Sequence, residues 1–127
     1  MRLPKSLRLT RWGDFAKVRK GGQSFAGKFL VLGLVTNPGV PKFRIGFITS
    51  KKVGNAVTRN QVRRRLRAIV REFGDLVQGG VDVVTIARFR AGSATYEQLR
   101  REWRWLARRA GILPEKEESR SNGGAGS

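Results

Sequence analysis

Between Ser50 and Arg71 the chain reads SKKVGNAVTRNQVRRRLRAIVR, with six arginines after position 58 and no acid before Glu72. At roughly 100° per residue on a helix, Arg59, Arg63, Arg67 and Arg71 succeed one another at i, i+4 steps. Asn60 and Arg64 share their broad face, while Arg65 falls on the other flank. Like charges at this spacing destabilise an isolated helix, so the ladder calls for a polyanion that neutralises it. Guanidinium groups about 6 Å apart per turn suit successive phosphates of a nucleic-acid strand, and arginine binds phosphate through a planar fork that lysine lacks. Lys51 and Lys52 add two cations ahead of the helix. Gly54-Asn55 opens it, where free backbone N–H groups favour an anion.

The rest of the composition narrows the chemistry. The 127 residues hold 27 Lys or Arg, 9 Asp or Glu, no His and no Cys, for a net charge of +18. Residues 1–71 hold 18 cations and one acid, Asp14, a net of +17, against nine cations and eight acids in residues 72–127. Without His the commonest general base is missing, and without Cys there are no disulfides, thiolate metal sites or cysteine nucleophiles. Of the other acids, Glu72, Asp75, Asp82, Glu97 and Glu102 are scattered over separate elements, which argues against a metal-dependent protein nuclease. The longest apolar run, Phe29 to Val35, has seven residues; it is too short to span a membrane, and the amino terminus lacks a signal-peptide core. These features predict a soluble intracellular domain whose excess of cations calls for a polyanion, nucleic acid foremost.

The elements that position these residues follow from periodicity. A helix is expected from Thr10 to Lys20, ended by Gly21-Gly22. Phe25 to Thr36 reads as one strand closed by Asn37-Pro38-Gly39. Lys42 to Ser50 alternates as a second strand, making an antiparallel hairpin with the first. The helix carrying the ladder spans Ala56 to Phe73, with Val62, Leu66, Ile69, Val70 and Phe73 as its buried stripe. Val81 to Arg88 is a third strand. Thr95-x-x-Gln98 is a capping box for a last helix with Tyr96, Leu99, Trp103, Leu106 and Ala110 on its inner face. Gly111 and Pro114 stop that helix. The expected order is αββαβα, an α+β sandwich with a small mixed sheet, a single domain over residues 1–113 and a disordered tail over 114–127. On the last helix Trp105 projects opposite the stripe among Arg101, Arg104, Arg108 and Arg109. That surface suits auxiliary RNA binding or self-association, or else an indole that is simply exposed or covered by the tail.

Ser50-Lys51-Lys52, Gly54-Asn55-Ala56-Val57 and Arg59-Asn60-Gln61 together resemble the signature of the bacterial ribonuclease P protein family. Similarity extends to Arg8-Leu9, to Asp14-Phe15-Ala16-Lys17-Val18 with Gly22, to Phe43-Arg44-Ile45-Gly46 and to Asp82-Val83-Val84-Thr85-Ile86-Ala87-Arg88, covering about residues 7–110. Gln61 departs from the family's second Arg, Arg19 from a common aromatic and Gly33 from a frequent Tyr. The resemblance implies a left-handed crossover between the second and third strands. It also implies a protein subunit with no catalytic residue, serving an endoribonuclease that removes the 5′ leader of precursor tRNA. The chemistry would lie with a partner RNA that binds most of the Mg2+, none being held by the protein alone. Precursor tRNA and the catalytic RNA are the implied partners, with no protein partner and no membrane. Lys51, Lys52, Asn55, Arg59, Asn60, Arg63, Arg64, Arg67 and Arg71 would meet RNA. Phe15, Arg19, Val31 and Arg88 would line a leader cleft between the sheet and the first two helices. A ribosomal or RNA-chaperone protein without a role in cleavage is the alternative; it shares the charge but does not predict this ordered block of motifs.

Overall fold

The computed structural model describes residues 22–39 and 42–114. The predicted helix Thr10–Lys20 and the tail beyond Pro114 lie outside the described residues. Four strands form one sheet: β1 (Gln23–Ala26), β2 (Leu30–Thr36), β3 (Arg44–Thr49) and β4 (Val81–Ala87), in the order β1-β2-β4-β3. Two helices, α1 (Ala56–Phe73) and α2 (Tyr96–Arg109), complete the described fold.

The sheet departs from the expectation in three respects. Phe25 to Thr36 is two strands rather than one, so the sheet has four strands and not three. The chain reverses at Gly27–Phe29, where Gly27 N–H donates to the Leu30 carbonyl at 2.8 Å. β2 and β3 do not form a hairpin, because β4 lies between them, antiparallel to β2 and parallel to β3. The turn at Asn37 explains this: its backbone N–H donates to Gly80 O at 2.7 Å and its side chain to Asp82 Oδ2 at 2.9 Å. Those bonds hold the end of β2 against the start of β4. Since β3 and β4 are parallel neighbours, the chain between them crosses over through α1.

Alternation decides which side of each strand meets the helices. Leu30, Leu32, Leu34, Ile45 and Val83 join Val62, Leu66, Ile69, Val70 and Phe73 of α1 and Leu99, Trp103, Leu106 and Ala107 of α2 in one buried cluster. The whole predicted α1 stripe is buried. On α2, Ala107 belongs to the core and Ala110 packs against it, whereas Tyr96, expected on the inner face, opens the helix at its exposed first turn. Trp103 stacks on Phe73 at 6.1 Å between ring centroids, and its indole N–H donates to Thr85 Oγ1 at 3.0 Å.

Buried and bracing carboxylates hold the elements together. Asp82 is fully buried and accepts from Arg44 Nε and Nη2, both at 2.9 Å, across the β3–β4 register. Arg100 of α2 clamps Glu72 of α1 in bidentate fashion, its Nε lying 2.9 and 3.0 Å from the two oxygens. That bond holds the Arg100 guanidinium above its ordinary pKa. Burial, followed by the nearby Glu72 charge, pushes the neighbouring Tyr96 hydroxyl up.

Candidate nucleic-acid interface

The entry to α1 is built by three small-residue devices in succession. Ser50 Oγ accepts from Lys52 N–H at 3.3 Å and starts a single 3₁₀ turn, Lys51–Val53. Val53 is buried and anchors that turn, leaving Lys51 and Lys52 exposed. Gly54 follows at φ 150°, a conformation that glycine adopts readily, and a Cβ there would lie 2.9 Å from the Thr58 side chain. Asn55 then caps α1, its Oδ1 accepting from Thr58 N–H at 2.9 Å. The Gly-Asn pair read from the sequence is thus the means by which two lysines are fixed ahead of the helix. Behind them the turn Phe89–Ser93 packs closely, because a Cβ on Gly92 would collide with the Val53 carbonyl oxygen.

Along α1 the arginines divide by task. Arg63 is half-buried and donates from Nη1 to Thr49 Oγ1 at 2.9 Å and from Nη2 to Asn60 Oδ1 at 2.8 Å. The end of β3 and one turn of helix thereby hold its guanidinium in place. Arg59 is half-buried too, and its Nε is shielded from solvent with no hydrogen-bond partner among the described residues. Arg64 and Arg71 are exposed and Arg67 is half-buried. Gln61, in the place of the family's second Arg, is exposed. Arg65 differs from the others: its Nη1 donates to the Ala94 carbonyl at 2.9 Å, tying α1 to the segment that precedes α2. Its position on the opposite flank was evident from helical spacing, but its acceptor, 29 residues away, was not.

The residues expected to line a leader cleft are more scattered. Phe15 and Arg19 lie outside the described residues. Val31 is half-buried on the sheet face opposite α1, in a row with Ile86 and Ile48 across β2, β4 and β3. Ile86 and Ile48, which the sequence reading did not single out, therefore share Val31's face. They were legible only as the outward members of alternating strands. Arg88 donates from Nη1 to Gly27 O at 2.8 Å, closing the β1–β2 turn. Among the described residues, no group of three or more acidic side chains converges as metal ligands, and no helix is long and apolar enough to cross a membrane.

An α+β sheet bearing a capped lysine turn and an arginine-lined helix defines a protein built to receive a phosphate backbone. The family profile described as Ribonuclease P matches residues 3–111. The chain is 36% identical over 111 residues to the ribonuclease P protein component of Syntrophomonas wolfei, covering 87% of this chain and 92% of that one. It is 39% identical over 100 residues to that of Natranaerobius thermophilus, covering 79% and 86%. Among solved structures, the RNase P protein of Staphylococcus aureus superposes with a TM-score of 0.79 at 30% identity, over 93% of this chain and all of that one. The chain belongs to the ribonuclease P family.

Proposed function

We propose that this chain is the protein subunit of a cytoplasmic ribonuclease P ribonucleoprotein, in which it binds the catalytic RNA and the 5′ leader of precursor tRNA. One observation supports the reading: Lys51 and Lys52, exposed on a turn held by Ser50, Gly54 and Asn55, stand ahead of a helix that carries Arg59, Arg63 and Arg64 on one broad face, Arg63 fixed by Thr49 and Asn60 and Arg64 exposed. Lys51, Lys52, Arg59, Asn60, Arg63, Arg64, Arg67 and Arg71 meet phosphates of the RNA partner, while the Asn55 side chain keeps the entry loop in shape. Val31 and Arg88 bear on the leader. The RNA-binding unit spans residues 1–113.

The chain contributes binding and charge neutralisation rather than bond chemistry. Four of its carboxylates are engaged in holding the fold: Asp82 by Arg44, Glu72 by Arg100, Glu102 by backbone N–H groups, and Glu97 by Arg100 and Arg101. In this reading the RNA supplies the catalytic groups, and Mg2+ bound mainly by that RNA provides the Lewis acid for phosphodiester hydrolysis. Neutralising phosphates lowers the repulsion between catalytic RNA and substrate, and that effect is strongest when magnesium is scarce.

Reconstitution tests the proposal. The full chain, added to a bacterial ribonuclease P RNA at low Mg2+, is expected to accelerate removal of the leader from precursor tRNA. No acceleration, together with tight binding to ribosomal RNA, would transfer the chain to the ribosomal or chaperone class.

A further inference from the structure

The outer face of α2 carries a second basic feature, made of residues other than those of the ladder. Trp105 is 48% exposed, an unusual position for the largest apolar side chain on a helix whose inner stripe is complete without it. With Phe29 and Lys28 from the β1–β2 turn and with Gln98, Arg101 and Glu102 of α2, it lines an open pocket of about 400 Å³. The Arg109 guanidinium lies 4.9 Å from the indole centroid, and the Lys28 ammonium 5.5 Å from the Phe29 centroid. Arg101 is well exposed, its nearest acid being Glu97 at 3.8 Å.

The one acid among the residues lining the pocket is engaged by the β1–β2 turn. Glu102 Oε1 accepts from Lys28 N–H at 2.9 Å, and Oε2 from Phe29 and Leu30 N–H, both at 2.7 Å. Both of its oxygens are thereby turned to the backbone of the turn. Gln98 Oε1 accepts from Thr95 N–H at 2.8 Å as part of the capping box, which leaves its NH2 group as a donor. The pocket therefore offers an aromatic platform, a second ring, a side-chain donor and flanking cations, within the volume range of small-molecule sites. Base stacking on an aromatic ring with phosphates held by Lys and Arg is the chemistry of single-strand binding.

We propose that Trp105, Phe29, Lys28, Arg101 and Gln98 form a second RNA site that takes one unpaired nucleotide, its base on the indole and its phosphate against Arg101 and Lys28. The occupant is single-stranded RNA because cations flank an exposed indole and a half-buried second ring, and the carboxylate that lines the pocket is hydrogen-bonded to backbone N–H groups. α2 packs over β1 and β2 and α1 against β3, side by side on one face of the sheet, so the outer side of α2 carries residues separate from the ladder, and the site does not depend on the ribonuclease P reading.

The test uses the full chain and a labelled twelve-nucleotide oligoadenylate, followed by fluorescence anisotropy. Trp105→Leu is expected to weaken binding about tenfold and Trp105→Phe much less, as stacking requires. A twelve-unit abasic ribose-phosphate strand should bind wild type and Trp105→Leu alike. Lys28→Gln and Arg101→Gln, independent of the indole, should each lower the slope of log affinity against log salt by close to one. Equal oligoadenylate affinity for wild type and Trp105→Leu would overturn the proposal, and so would an equal loss on the abasic strand. A dimer seen by sedimentation that Trp105→Leu dissolves, with oligoadenylate affinity unchanged, would overturn it in favour of a second copy of the chain. None of these measurements involves ribonuclease P RNA, so failure in the leader-removal assay leaves them interpretable.

Discussion

The carboxylate of Glu102 occupies the space that a side chain on residue 27 would need: a Cβ at Gly27 would lie 2.5 Å from the Glu102 Cδ. Glycine lets the turn close around the acid, and the acid in turn binds the three backbone N–H groups that follow. Glu102→Ala is expected to destabilise the fold by about 2 kcal/mol, in line with hydrogen bonds to a charged acceptor, and to lower the thermal midpoint by roughly 10 °C. Gly27→Ala should cost about 1–3 kcal/mol by overpacking. Thermal unfolding of the two single variants and the double variant checks the coupling, since Gly27→Ala should cost little once Glu102 is Ala.

Gly92 does the same for the lysine turn. A methyl group there meets the Val53 carbonyl oxygen and comes within 3.1 Å of the Thr58 side chain. Gly92→Ala is therefore expected to displace Lys51–Val53 and to weaken RNA binding several-fold, while costing about 1–3 kcal/mol of stability. Filter binding to ribonuclease P RNA, alongside thermal unfolding, separates the two effects. Unchanged RNA affinity would mean that the turn's position is immaterial to the interface.

Asp82 and Arg44 form the pair on which the β3–β4 junction rests. Asp82 is fully buried, and Arg44→Leu would leave it facing β3 without its bidentate partner. Removing one member of a buried pair costs about 3–5 kcal/mol, whereas replacing both by apolar residues is close to neutral. Urea denaturation should thus find Arg44→Leu severely destabilised and Arg44→Leu with Asp82→Leu substantially recovered. Equal instability in both would assign the cost to shape rather than to the stranded charge.

These pairs also show what could be read from the sequence and what could not. The limits and stripe of α1 were legible because Val62, Leu66, Ile69, Val70 and Phe73 recur at helical spacing, whereas the bond from Thr58 N–H to Asn55 Oδ1 that caps the helix came only with the structure. The capping box of α2 was legible in the same local way as the stripe. The break between β1 and β2 was not legible, because the acid that satisfies the turn stands more than 70 residues downstream. The insertion of β4 between β2 and β3 was equally hidden, since strand order is set by non-local pairing and by the Asn37–Asp82 contact. At the interface, the ladder was visible as a pattern of charge. Its division into Arg63, held against Thr49, and Arg65, bound to Ala94, required the three-dimensional partners.

That division yields the sharpest prediction for the interface. Each phosphate contact contributes slightly under one unit to the slope of log affinity against log salt. Arg59, whose shielded Nε has no partner among the described residues, and Arg63, fixed between Thr49 and Asn60, are placed to make such contacts. Arg59→Ala and Arg63→Ala should each weaken RNA binding and reduce the slope by about one. Arg65 carries the same charge two residues along, but its guanidinium is bound to the Ala94 carbonyl. Arg65→Ala should therefore leave the slope nearly unchanged and instead lower stability by about 1–2 kcal/mol, the cost of losing a charge-assisted bond. Net charge falls by one in all three variants, so a general electrostatic field would shift all three slopes alike. A slope lost only with Arg59 and Arg63 assigns the contact to one face of α1, and a slope lost equally with Arg65 would dissolve that assignment.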